Sequence, residues 1–341
     1  MRGHWLLFWL LRHVPISSAF SPVGTTLDRP YGKSIRASSS SSQLFAYETE
    51  IGCATIAFAS SHIAMSAIRN DLIDRIGDAA YQLNWVNTGW KLPDVWPGDE
   101  AGQEIFPTKE IAGRQLYRIL YTIVSFSTLG TGFAYYLNAL AEEPLTMLPN
   151  DEDVALNYVI ASLASGISLA SLVNPSPLSL VPVYEPGNNT NVDRRSASIR
   201  RNDSKKLQAY GLTRITRHPL ILPVVPWGFA TAMIMGGHVR DYLLFGVLSL
   251  YAIAGCAAQD LRVIREEGSV GTVFTPEQSS LQEFFQQTSF IPFQAVLQSR
   301  QSMDDILQEV PWWALVVGTA VGYQIQESFI SFLVGNVGRT L

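Results

Sequence analysis

Long apolar stretches alternate with short polar segments along most of the 341-residue chain. A membrane-spanning helix needs roughly 20 mainly apolar residues, because the hydrocarbon core of a bilayer is about 30 Å thick. The pattern therefore predicts an all-α fold, a polytopic membrane bundle of about six transmembrane helices. The predicted spans are 47–68, 116–140, 154–173, 219–236, 242–258 and 312–334.

Composition agrees with a membrane protein. Hydrophobic residues make up 47% of the chain and charged residues only 16%, whereas about a quarter is usual in soluble domains. The net charge of −5 argues against a nucleic-acid partner. The two cysteines, Cys53 and Cys256, lie in separate apolar runs, so the sequence indicates neither a disulfide framework nor a zinc site.

The first 45 residues have the composition of a targeting presequence. Arg2 precedes a short apolar run, and small residues at 17–19 offer a cleavage site before a Ser-rich basic stretch. The junction Ser18-Ala19-Phe20-Ser21-Pro22 resembles the bipartite plastid address of diatoms and related algae. That resemblance implies a multi-pass protein of a plastid membrane, either the thylakoid or the inner envelope. An ordinary secreted protein with a flexible linker is the alternative.

Residues 46–341 are predicted to form one membrane domain with two polar insertions, 70–113 and 187–209. The first insertion contains several tryptophans and prolines, which suit a membrane interface. The second is rich in Asn, Ser, Asp and Arg, so we expect it to be disordered. Its arginines place it on the stromal side by the positive-inside rule.

A basic segment, Gly-Leu-Thr-Arg-Ile-Thr-Arg-His-Pro at 211–219, precedes the fourth predicted span. Pro219 suits the first turn of a helix, which would place Arg214, Arg217 and His218 at the positive end of that helix. Such a cluster predicts an anionic partner, which could be a lipid phosphate, a carboxylate or a cofactor propionate. The alternative is that the arginines anchor the helix at the headgroup level.

Two further features of the spans suggest binding. Pro219, Pro223 and Pro226 would bend span four and, with Trp227, form the wall of a groove for an elongated apolar substrate. Ser and Thr side chains of neighbouring spans could instead satisfy the carbonyls that the prolines free. His62 lies inside span one, where an ionisable residue is a functional candidate, although a structural hydrogen bond would also explain it.

Three groups of residues, taken in order, resemble the NnrU family over most of residues 50–335. The first is Ser61-His62 with Gly-Arg-Gln-Leu-Tyr-Arg at 113–118. The second is Arg-Ile-Thr-Arg-His-Pro at 214–219, with a tryptophan nine positions after the histidine and Asp-Leu-Arg at 260–262. The third is Thr-Ser-Phe-Ile-Pro-Phe-Gln-Ala-Val at 288–296, followed by Trp312-Trp313.

The family includes 15-cis-zeta-carotene isomerase, so the resemblance implies carotenoid biosynthesis and a b-type haem with two axial histidines. The two expected ligand positions read Ala139 and Thr231 here, and neither is an ordinary haem ligand. His62 and His218 are then the candidate haem or metal ligands, with Arg214 and Arg217 as possible propionate contacts. Two functions stay open: an isomerase-like haem enzyme, or a non-catalytic membrane protein that binds pigment, lipid or an assembly partner.

Overall fold

A computed structural model describes residues 37–83, 109–142, 151–174, 176, 184–186, 199–201, 208–264 and 278–337. The chain divides into two compact units, Met1–Ser40 and Ser41–Leu341, and the second contains nearly all of the described residues. The helices are α1 Ala37–Ala67, α2 Arg69–Gln82, α3 Lys109–Glu142, α4 Asp151–Ala170, α5 Leu212–Ile215, α6 Val224–Ile234, α7 Val239–Asp241, α8 Val247–Ile264, α9 Gln278–Gln287, α10 Gln294–Leu297, α11 Met303–Glu309 and α12 Trp312–Val337.

The all-α prediction is confirmed, with one small addition. Two three-residue strands, β1 Tyr184–Pro186 and β2 Ile199–Arg201, pair in antiparallel fashion with Tyr184 opposite Arg201. We expected the residues around β2 to be disordered. They instead form a strand that pairs with β1, because paired backbone groups satisfy each other's hydrogen bonds. The rest of the second polar insertion, the middle of the first, and the presequence junction lie outside the described residues.

Two described helical segments, Glu152–Val173 and Val239–Arg262, are long and apolar enough to cross a membrane. A third candidate is the pair Ser42–Ala67 and Arg69–Gln82, whose axes differ by 79°. The count of six spans is therefore not confirmed, although helices lie at all six predicted places. The fourth is the shortest, since its 11 residues measure only about 17 Å at 1.5 Å per residue.

Helix α6 is short because its prolines lie at its start. We predicted that the helix would begin at Pro219, but residues 219–223 form turns and α6 begins at Val224, with Pro223 as its N-cap. Pro226 then falls within the first helical turn, where a backbone N–H has no intrahelical partner to lose. The predicted proline bend within span four is therefore wrong, and these prolines determine where the helix starts.

The helices approach closely at glycines. Helices α4 and α12 meet at Gly166, where a Cβ atom would lie 2.2 Å from Thr319 Oγ1 and 2.8 Å from the Thr319 backbone nitrogen. At Gly113, a Cβ atom would lie 2.3 Å from the carbonyl oxygen of Ile73, so α2 packs directly on α3. Small residues that allow such approach are typical of helix packing in lipid. The first part of the predicted insertion 70–113 is thus a packed helix.

A central apolar cluster joins α1, α3, α6, α12 and the π-helical turn Tyr242–Gly246 that leads into α8. Aromatic rings form much of it: Tyr136 meets Phe245 edge-on at 5.5 Å, and Trp227 meets Phe245 at 6.0 Å between ring centroids. Burial of these rings excludes solvent from the middle of the bundle. The fully buried members with large side chains are Ile51, Tyr136, Leu140, Ile234, Met235, Leu244, Phe245 and Leu333.

Candidate functional site

The basic segment folds back onto the C-terminal third of the chain through Arg214. Its Nε and Nη2 atoms donate to the two carboxylate oxygens of Glu309 over 2.6 and 2.7 Å, in a bidentate pair. Gly211 N–H donates to the same carboxylate over 2.9 Å. The hydrogen bonds with Arg214 lower the pKa of the Glu309 carboxyl and raise that of the guanidinium. Both groups are therefore charged over a wide pH range.

Arg217 and His218 meet at one carboxylate, that of Asp260 near the end of α8. Arg217 Nη1 lies 2.7 Å from Oδ2, and His218 Nε2 lies 2.9 Å from Oδ1. The guanidinium also donates to Thr288 Oγ1 over 3.1 Å and lies 4.1 Å from the ring centroid of Phe285. Burial lowers the pKa of Arg217, and the Asp260 charge opposes that shift.

These contacts change the expectation for the two arginines. We predicted that Arg214 and Arg217 would face an anionic group, which could be a lipid phosphate, a carboxylate or a cofactor propionate. Each of them pairs with a carboxylate of the chain itself, Glu309 for Arg214 and Asp260 for Arg217. The internal carboxylates satisfy the demand for negative charge at this place without a ligand.

His62 is 5% exposed and lies in an aromatic box. Its ring centroid is 4.1 Å from that of Phe58, 4.4 Å from that of Tyr121 and 5.6 Å from that of Tyr251. Nδ1 lies 3.0 Å from the Phe58 carbonyl oxygen, which can only accept, so Nδ1 carries the proton. Nε2 lies 2.7 Å from the Ser125 hydroxyl, whose single proton also has the Tyr121 carbonyl oxygen as an acceptor at 2.5 Å. Both ring nitrogens are engaged within the bundle.

The structure does not bring His62 and His218 together. His62 contacts Tyr251 and His218 contacts Asp260, and these two residues lie nine positions apart on α8. Nine helical residues correspond to about 13 Å along the axis. The two histidines therefore belong to separate clusters along α8, and each is hydrogen-bonded to different residues of the chain.

The first of the expected ligand positions, Ala139 in α3, is completely buried. Its carbonyl oxygen accepts from Arg240 Nη1 over 3.3 Å. The neighbouring Asp241 accepts from the Tyr136 hydroxyl and from His238 N–H, both over 2.8 Å. Arg240 and Asp241 are themselves fully buried. A methyl group and a buried ionic network thus lie where a histidine was expected.

The second position, Thr231 in α6, is also fully buried and hydrogen-bonded. Its hydroxyl donates to the Trp227 carbonyl over 2.8 Å and accepts from Gln326 Nε2 over 3.1 Å. Gln326, from α12, in turn accepts from the indole N–H of Trp227 over 2.9 Å. The polar groups around this position are satisfied by one another. The residues at the two inherited ligand positions therefore do not fit a haem with two axial histidines.

The predicted substrate wall is divided among different surroundings. Pro219 is buried beside a small pocket, Pro223 is buried at the start of α6, and Pro226 is exposed. Trp227 is packed in the central cluster between Phe245 and Phe329. The four side chains thus differ in burial and in their neighbours, and the substrate groove stays a prediction.

Residues that organise these sites escaped the sequence interpretation. Asp260, Glu309 and Gln326 hold Arg217, Arg214 and Trp227, yet we did not select any of them as a site residue. One signal was available for Gln326, because a polar side chain inside a predicted apolar span has a high cost unless it is bonded. No group of three or more His, Cys, Asp or Glu side chains suited to a metal ion occurs in the described part of the chain.

The fold and these sites define an α-helical, membrane-type bundle with buried polar clusters between its helices. Residues 107–326 match the family model for NnrU protein. That match covers more than half of the chain, and the chain belongs to the NnrU family.

Among curated proteins, the chain is similar to the Zea mays protein described as 15-cis-zeta-carotene isomerase, chloroplastic. The two are 25% identical over 197 residues, which cover 57% of this chain and 46% of that protein. The chain thus spans about half the length of this relative. No solved structure matches the chain.

Proposed function

We propose that this chain is a plastid membrane protein of the NnrU family that binds a carotenoid-type polyene without a bis-histidine haem. One observation carries the proposal: Ala139 and Thr231, at the two inherited ligand positions, are buried and bonded to residues of the chain itself. Haem iron is held by His, Cys, Met or Tyr side chains, and neither the alanine methyl group nor the threonine hydroxyl is among these ligands. The similarity to the maize protein and the apolar helices support the polyene and the plastid membrane.

The test uses the full chain, produced in a bacterial host that accumulates zeta-carotene and purified in detergent. We expect polyene to co-purify with the protein, and the absorption spectrum to lack a Soret band. The ratio of zeta-carotene isomers in the host should equal that of cells without the protein. Purified protein without pigment would contradict polyene binding, and a Soret band that follows the protein through purification would contradict the absence of haem.

Zeta-carotene isomerase activity is the second candidate, which the name of the maize relative favours. It predicts a changed isomer ratio in the same host. His62→Phe and His218→Phe would then show whether either candidate histidine takes part, since phenylalanine keeps the ring shape and removes the nitrogens. His238→Phe is the matched control, because His238 lies in the turn before α7 and is part of neither the aromatic box around His62 nor the His218–Asp260 pair.

A further inference from the structure

His218 has a buried nitrogen that none of the described residues satisfies. The ring is 2% exposed, and its Nε2 atom lies 2.9 Å from Asp260 Oδ1. Its other nitrogen, Nδ1, is buried without a hydrogen-bond partner in the described part of the chain. Buried polar groups in native proteins nearly always have a partner, so an exception of this kind points to a bound molecule.

The surrounding charges determine which kind of atom His218 Nδ1 can meet. Asp260 pairs with Arg217 through Oδ2 across 2.7 Å and faces His218 Nε2 with Oδ1, so a carboxylate oxygen is the acceptor for a proton on Nε2. An imidazole with its single proton on Nε2 has a lone pair on Nδ1, which can only accept. Its partner must therefore be a hydrogen-bond donor or a metal ion.

The residues that line the pocket beside His218 limit which kind of partner can bind Nδ1. Arg217 also lines it, and its positive charge disfavours a cation, while the lone pair of Nδ1 disfavours an anion. Among the described residues, the one carboxylate that contacts His218 is that of Asp260, which faces Nε2 and is paired with Arg217, so a metal at Nδ1 would lack anionic ligands from this part of the chain. A neutral donor, such as a hydroxyl group, fits both restrictions.

The pocket combines polar and apolar walls at one end of the bundle. Its lining residues are Ser171, Ser176, Arg217, His218, Pro219, Leu220, Ile221 and Gln259. Ser171 lies at the end of the candidate span Glu152–Val173, and Gln259 lies near the end of Val239–Arg262. Two apolar segments therefore end at this pocket, which is where the polar head of a membrane amphiphile lies.

We propose that this pocket binds the hydroxyl-bearing end of a membrane amphiphile, whose hydroxyl donates to His218 Nδ1 while its apolar chain extends along the bundle. The proposal rests on the proposed function in that a hydroxylated polyene is the expected ligand. A lipid with a free hydroxyl in its head has the same chemistry, and the experiment below separates the two sources. Asp260 and Arg217 act as positioning residues that hold the acceptor nitrogen toward the pocket.

The test measures quenching of tryptophan fluorescence in the full chain, inserted in phosphatidylcholine nanodiscs. The probes are β-carotene and dihydroxy-β-carotene, which differ only in their hydroxyl groups. We expect the wild type to bind the dihydroxy compound about tenfold more tightly, the factor that one hydrogen bond of ordinary net strength provides. This comparison needs no substitution, so it is independent of any folding defect in a variant.

Two variants test whether the preference for dihydroxy-β-carotene depends on His218. His218→Phe should remove the preference for dihydroxy-β-carotene and leave the affinity for β-carotene unchanged, whereas His238→Phe should keep the preference. Equal affinities of the wild type for both polyenes, or a preference that survives in His218→Phe, would overturn the hydroxyl site. Equal binding leaves the proposed function intact, whereas failure of both polyenes to bind overturns the proposed function as well.

A competition experiment identifies the source of the hydroxyl. Monoolein carries free hydroxyls on its head, and methyl oleate has the same chain without them. Displacement of dihydroxy-β-carotene by monoolein but not by methyl oleate assigns the pocket to a lipid hydroxyl. Failure of both to displace it assigns the pocket to the polyene, and either result supports a hydroxyl site at His218. Equal displacement by the two esters would overturn it.

Discussion

The indole N–H of Trp227 donates to Oε1 of Gln326 over 2.9 Å, joining α6 to α12. The same Gln326 side chain donates to Thr231, one turn further along α6. This amide therefore satisfies two polar groups of α6 in the interior of the bundle. The bond to Gln326 also explains why a buried threonine is tolerated at position 231, where a haem ligand was expected.

Replacing Gln326 by leucine should destabilise the protein by about 1–3 kcal/mol, because the indole N–H and the Thr231 hydroxyl both lose a buried partner. The midpoint of thermal unfolding in detergent measures the effect. Gln324→Leu is the matched control, since Gln324 is exposed on the same helix. Equal midpoints for Gln326→Leu and the wild type would show that the bond to Trp227 contributes nothing.

Removing the charge of Glu309 should make stability less dependent on acid pH. Since Arg214 lowers the pKa of Glu309 below its ordinary 4.5, the pair stabilises the fold fully above that value. The contribution disappears as the pH falls through the lower pKa of the folded state. Glu309→Gln should therefore cost about 1–3 kcal/mol at pH 7, where charged hydrogen bonds are intact.

Unfolding of the wild type and Glu309→Gln, followed from pH 7 to pH 3, measures this linkage. The difference between them should shrink on the acid side of pH 4.5. Glu50→Gln serves as the control, because Glu50 is exposed on α1. A difference that stays constant over the whole range would contradict the ion pair with Arg214.

Substitution of Gly166 by alanine should push α4 away from α12. The added methyl group would meet the Thr319 backbone nitrogen at 2.8 Å, and a backbone atom cannot move aside as a flexible side chain can. We expect a loss of about 1–3 kcal/mol in the free energy of unfolding. Gly130→Ala provides the control, because a Cβ atom there has nothing within 4 Å, and alanine favours a helix interior.

The targeting prediction concerns residues 1–45, of which the structure describes only 37–45. A fluorescent reporter fused to residues 1–45 should enter the plastid of a diatom, and Phe20→Ala in that fusion should prevent entry. Thr26→Ala, in the polar stretch that follows, should leave entry unchanged. Microscopy distinguishes the outcomes, and secretion of the unaltered fusion would contradict a plastid address.

The sequence by itself was sufficient to predict the all-α fold class and the NnrU family. Apolar runs of helical length and the order of short motifs are local properties of the chain, so they can be read without knowing which segments meet. The same local reading identified Ala139 and Thr231 as unsuited to haem. It also singled out His62 and His218, the two histidines that are buried among specific partners.

Only the tertiary structure decided what those residues contact. Asp260 and Glu309 lie 43 and 95 positions from the arginines that they bind, and no local pattern specifies a pairing at such separation. The tertiary contacts also show that both nitrogens of His62 have hydrogen-bond partners, whereas Nδ1 of His218 has none among the described residues. Periodicity along a chain reports which face of a helix is apolar, but the partner of a buried polar atom depends on how the helices are packed.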